Sequence, residues 1–137
     1  MSDHSAEGNS VLITVDLIDT LVTAGGYTHH LFADADSSDG RPLPGQAVLL
    51  LMGGLVEQSG LVLDAIALLE IGRVQFHKMV RAGSSLDVEV VAGAQKRTST
   101  GKVLQNYTWI APDETGDSVA EAEVLMLMNE TAANGSL

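Results

Sequence analysis

Pro44 to Gly60, PGQAVLLLMGGLVEQSG, is the most apolar stretch of the chain, and its reading decides how the rest must be arranged. From Gln46 to Ser59 it is long enough for a helix of roughly 20 Å. Ala47, Val48, Leu49, Leu50, Leu51 and Met52 are consecutive, so they cover every side of that helix. A helix that is apolar all round is enclosed by protein or by lipid. Gly53-Gly54 and Glu57-Gln58 interrupt the run short of the ~20 residues that span a bilayer, which argues for a buried central helix and against a membrane. Pro44 is tolerated at a helix start, and Gly60 suits the position just past its end. Gly53 and Gly54 each cost about 1 kcal/mol in a helix. They make sense where another backbone packs close, in a sheet or in a symmetry-related helix.

The composition bounds what surrounds this helix. A chain of 137 residues, 45% of them hydrophobic, supports one domain with a sizeable core. Its positive mean hydropathy rules against general disorder. Seven Lys and Arg stand against 18 Asp and Glu, for a net charge of -11. Nucleic acid is excluded as a partner, because phosphate binding rests on clustered cations. With no cysteine there are no disulfides, thiolate nucleophiles or thiolate metal sites. The opening MSDHSAEGNS is acidic and polar, unlike a signal peptide, so the expected location is the cytoplasm. Residues 1–10 and 129–137 are expected to be disordered polar tails around a single domain over 11–128.

Before the central helix, Val11 to Val15 is rich in β-branched residues and reads as a short strand. Asp16 to Thr23 switches to helical spacing, with Leu17, Ile18, Leu21 and Val22 on one face. Tyr27 to Leu43 is crowded with Asp, Ser, Gly and Pro and reads as a loop. After the helix the pattern becomes that of strands. Val62 to Val80 alternates in part, with Gly72 marking a bulge or bend. Leu86, Val88 and Val90 alternate with charged residues, Val103 to Ile110 carries Tyr107 and Trp109 on one face, and Val119 to Met128 closes the series. One helix followed by an antiparallel meander is an α+β arrangement, and the concave face of the sheet has to wrap the helix. That is the hot-dog fold, one antiparallel sheet around one long central helix. The exposed sheet edge and helix flank predict a homodimer.

Four segments resemble the MaoC-like (R)-specific enoyl hydratases and dehydratases: Gly25–Asp34 (GGYTHHLFAD), Arg41–Gln46 (RPLPGQ), Arg73–Val90 (RVQFHKMVRAGSSLDVEV) and Asn106–Leu127 (NYTWIAPDETGDSVAEAEVLML). The family patterns are G-D-x-N-P-x-H-x-D, a Gly opening the central helix, and R-F-x-x-P-V-x-x-G-D-x-L. The resemblance spans the chain from about Val11 to Met128 and implies an acyl-thioester substrate, carried on coenzyme A or on the phosphopantetheine of an acyl carrier protein. It implies no separate cofactor. It also implies that the backbone N–H of Gly45 holds the thioester oxygen as it becomes enolate-like, aided by the helix dipole.

The same alignment shows a departure. The family's Asp falls on Tyr27 and its His on Phe32, so the usual dyad is replaced, and Phe cannot move a proton. His29 and His30 lie in the same loop and are candidate replacements for the base, or else polar residues bonded to backbone. Tyr27 either orients the substrate through its hydroxyl or packs, Gln46 either meets the thioester or caps the helix, and Asp34 fixes the loop or lines the site. Glu57, toward the carboxyl end of the helix and away from Gly45, reads as a dimer contact or a solvated residue. No metal-ligand spacing is present. Three functions remain open: addition or elimination across C2–C3, with room for a nucleophile other than water; thioester hydrolysis; and acyl binding without catalysis beside an active homologue.

Overall fold

The computed structural model describes residues 10–33 and 40–129; Asp34 and the expected tails over 1–10 and 129–137, apart from Ser10 and Asn129, lie outside the described residues. The strand expected over Val11–Val15 is only β1 (Val11–Leu12), because Thr14 starts a helix instead. Its Oγ1 accepts the Leu17 N–H at 3.0 Å, an N-cap that satisfies one free amide of α1 (Val15–Gly25). Gly26, at φ 75°, closes α1 in the left-handed conformation that glycine adopts without a Cβ penalty. Within the stretch expected to be all loop stand a short helix, α2 (His30–Ala33), and β2 (Pro42–Leu43). Arg41 ties these pieces together: its guanidinium pairs with Asp19 of α1 and donates to the Phe32 carbonyl at 3.2 Å.

The central helix is α3 (Gly45–Gln58), with Pro44 at its N-cap and Gly60, at φ 79°, just beyond. Behind it come β3 (Ala65–Phe76), β4 (Val80–Arg81), β5 (Ser85–Leu86), β6 (Glu89–Arg97), β7 (Val103–Pro112) and β8 (Ser118–Met128). The four long strands form one antiparallel sheet in the order β3-β8-β7-β6, while β1 pairs with β5 and β2 with β4. The run expected from Leu86 to Val90 is thus split between two sheets at Asp87-Val88, although Leu86, Val88 and Val90 are all buried. Register shifts in β3, one of them between Ile71 and Val74, put a bulge at Gly72. The inward faces of β7 and β8 carry Val103, Tyr107, Trp109, Ala120, Ala122, Val124 and Met126 against Ala47, Val48, Met52, Leu55 and Val56 of α3. This is the α+β hot-dog arrangement, sheet around helix.

One expectation needs correcting. The helix is not enclosed on every side within one chain: Gln46, Leu50, Gly54 and Glu57 are exposed, Leu50 at 63%. These positions follow one another at helical spacing and form a stripe. The four-stranded sheet curls around the opposite face, and its edge strand β3 stops short of covering the stripe.

At the end of the sheet near Phe76, Lys78 pairs with Asp113 and lies 3.6 Å from Asp117, tying the β3–β4 connection to the β7–β8 turn. The Lys78 ammonium, helped by the Thr115 hydroxyl and the amides of Thr115 and Asp117, holds the Asp113 carboxyl far below the usual carboxylate range. A carboxyl whose folded pKa is depressed stabilises the fold above its unfolded value, and that contribution is lost as pH falls. Acid titration of stability should therefore show a loss that begins around pH 4 and continues downward. Lys78→Met should weaken that acid-dependent loss in urea melts taken across the same pH range. Unchanged pH dependence in the variant would mean the pair is too solvated to matter.

Candidate functional site

Tyr27 follows directly from the left-handed stop at Gly26, and its N–H returns to the Val22 carbonyl at 3.1 Å. This sets the ring beside α1 and over the start of α3. A pocket of about 410 Å³ lies there, lined by Leu21, Ala24, Gly25, Tyr27, Gln46, Ala47 and Leu50. Of the residues singled out in the sequence, it brings Tyr27 and Gln46 together. Phe32 packs edge-on against Tyr27 with ring centroids 5.4 Å apart, so the two residues at the family's dyad positions do meet, but as an aromatic pair. Gly45 opens α3 next to Gln46; the Ala47 and Val48 N–H groups donate to the Pro44 carbonyl at 2.9 and 3.1 Å, which leaves the Gly45 and Gln46 amides as those with no acceptor within the helix. The Phe76 ring stands over Gly45, 3.2 Å from where a Cβ would be, so only glycine leaves that turn undisturbed.

His29 and His30 stand apart from this pocket. Both are exposed and neither lines it; their rings stack on one another at 4.2 Å. His29 Nδ1 accepts the Leu31 N–H at 3.0 Å, which leaves the proton of the neutral ring on Nε2. The free nitrogen of His29 is then a donor rather than a base.

Two residues given little weight in the sequence lie beside the site. Gln46 and Leu50 also border a second cavity of about 520 Å³, a groove between α3 and β3 floored by Trp109 and walled by Leu68 and Ile71. The groove continues toward Ile66 and Met126 through a further cavity of about 440 Å³. Glu57 borders both parts of the groove and is the one charged side chain among the described residues lining these three cavities. The indole N–H of Trp109 is buried there without a hydrogen-bond partner among the described residues. Only the face that Trp109 shares with Tyr107 was legible in the sequence, because the groove is made by residues distant along the chain. Among the described residues no three His, Asp or Glu side chains could hold a metal ion, and no helix is long and apolar enough to cross a membrane.

No family model matches the chain, and no curated protein matches it. Solved structures do. A monoamine oxidase regulatory protein from Archaeoglobus fulgidus matches 93% of this chain and 90% of its own at 20% identity, with a TM-score of 0.78. The MaoC-like dehydratase from Rhodospirillum rubrum matches 88% of this chain and 87% of its own at 15% identity, with a TM-score of 0.74. The HadBC (3R-hydroxyacyl-ACP dehydratase) complex from Mycobacterium tuberculosis matches 91% and 93% at 18% identity, with a TM-score of 0.73. At these identities the likeness is one of fold.

Proposed function

From a chain that carries the hot-dog fold of MaoC-like dehydratases and hydratases, we propose an enzyme that adds to, or eliminates across, the C2–C3 bond of an acyl thioester. The observation that carries this reading is the pocket in which Tyr27 and Gln46 meet at the start of α3. A thioester carbonyl at that turn would face the free amides and the positive end of the helix dipole, which favour an enolate oxygen. Tyr27 would orient the substrate through its hydroxyl, and the apolar walls of Leu21 and Leu50 would hold the start of the acyl chain. The thioester comes on coenzyme A or on an acyl carrier protein. The working unit is a homodimer, which the open β3 edge and the bare stripe of α3 support.

A second reading is favoured by the Tyr27–Phe32 contact. Two aromatic rings at the dyad positions suit a chain that binds an acyl group while a related subunit does the chemistry. One experiment separates these readings from hydrolysis. Enoyl and saturated acyl thioesters are offered with water or an amine, and the products are read by mass spectrometry. An adduct at C3, or loss of water from a 3-hydroxyacyl thioester, is the expected result. Free acid would make the protein a thioesterase, and unchanged thioester that nevertheless binds would make it an acyl-binding subunit.

A further inference from the structure

Among the described residues the pocket holds a helix N-terminus and a phenol but no carboxylate or imidazole, and the proposed addition needs a proton-moving group. The face of the chain beside the pocket indicates its source. Along β3 and α3 the exposed apolar side chains are contiguous: Leu50 at 63%, Ile66 at 62%, Leu68 at 45% and Ile71 at 41%. Among the described residues the strand they border has one side unpaired. Gly54, one turn beyond Leu50, has neither a positive φ nor any heavy atom within 4 Å of where its Cβ would be. Nothing among the described residues requires glycine there. A knob and a gap one turn apart on one face are self-complementary, and an isologous pair uses both twice.

The symmetry of such a pair is restricted. A two-fold running along β3 would put the second helix on the opposite face of the sheet and leave both grooves bare. A two-fold normal to the sheet keeps both helices on one face, makes them antiparallel and sets the grooves against each other. Leu50 of each copy then enters the Gly54 gap of the other. Counting outward along both helices from that exchange, Glu57 arrives opposite the partner's Ala47, between the partner's Gln46 and the partner's Leu50. Those are two of the residues that line the Tyr27 pocket.

We infer that a second copy of this chain closes the groove along α3 and β3, and that Glu57 of the partner subunit is the carboxylate of the Tyr27–Gln46 pocket. The placement is independent of the proposed function; the chemistry rests on it. As water adds to an enoyl thioester, the carboxylate takes one of its protons while the oxygen bonds to C3. The C2–C3 π pair moves onto the thioester oxygen as an enolate, held at the start of α3. The enolate then collapses, C2 takes the proton back from the carboxylic acid, and the hydrated thioester leaves with the carboxylate restored.

The test uses the absence of cysteine from the chain. Gln46→Cys and Glu57→Cys chains are mixed, exchanged and oxidised, and covalent pairs are read on a non-reducing gel. A cross-link is expected in the mixture and in neither variant alone, since a disulfide needs Cα atoms within about 7 Å. No cross-link in the mixture, or an equal one from Gln46→Cys alone, overturns the pairing. For the chemistry, Glu57→Gln should remain dimeric and lose about 100-fold in turnover, the scale of a general base. Mixing it with Tyr27→Ala chains should restore activity toward about one quarter of wild type, because half the pairs then hold one complete pocket. No recovery on mixing would place Glu57 in its own chain's site. Loss in His30→Gln with Glu57→Gln unaffected would return the role to the loop histidines. A wild type that cross-links as expected but turns over no thioester would overturn the addition reading and the carboxylate's role while leaving the pairing intact.

Discussion

Met52→Asp leaves no folded protein. The Met52 side chain is fully buried in the apolar core that α3 shares with the sheet. An unpaired buried charge is among the largest single-residue penalties, above about 4 kcal/mol and so a large share of a domain's total stability. The same substitution at Leu50, two residues earlier, has a different expected outcome. Leu50 is 63% exposed in the single chain, so Leu50→Asp should keep the far-UV spectrum and a cooperative melt while shifting sedimentation from dimer to monomer. A soluble, cooperatively melting Met52→Asp would remove α3 from the centre of the fold. A Leu50→Asp protein that unfolds as readily as Met52→Asp would mean that the stripe is enclosed by its own chain.

The contrast between those two residues also marks how far the sequence could be read. Six consecutive apolar residues located the central helix, since nothing but a core accommodates such a run. They could not tell which side the sheet would leave uncovered, because Leu50 and Met52 are equally apolar and only the extent of the sheet distinguishes them. Alternation likewise identified the inward faces of β7 and β8, where Trp109 and Val124 stand. It could not show that Leu86 and Val90 belong to different sheets, since burial alternates in the same way through the break at Asp87-Val88. At the site, proximity in sequence gave the loop histidines their weight. In the structure the helical turn at His30 keeps both rings on the surface, while Gln46 comes from a different element to meet Tyr27. Glu57 drew little weight because it is a dozen residues from Gly45 on the same helix. That separation places it far from the site in one chain, yet near it in an antiparallel pair.

Gly45→Val is the substitution expected to cost the most activity for the least change in composition. A Cβ at Gly45 would sit 3.2–3.3 Å from three atoms of the Phe76 ring. That is tighter than ordinary van der Waals contact, so the ring or the helix start has to move. Phe76 pairs with Ala120 at the end of β3, which holds its backbone, while its ring is half exposed and can tilt. Alanine should therefore be partly absorbed, with a loss near tenfold. The branched side chain of valine should displace the first turn of α3, and with it the amides proposed to face the thioester oxygen. Misplacing one such donor lowers turnover by roughly 100- to 1,000-fold. The loss should fall on kcat more than on thioester affinity, because the donor acts on charge that develops in the transition state. Trimming the ring separates collision from any other cause: Phe76→Leu in the Gly45→Val background should recover at least part of the activity. Full activity in Gly45→Val alone would show that the start of α3 does not hold the reacting carbonyl. A loss that Phe76→Leu leaves unchanged would mean that the valine itself, rather than the displaced turn, obstructs the substrate.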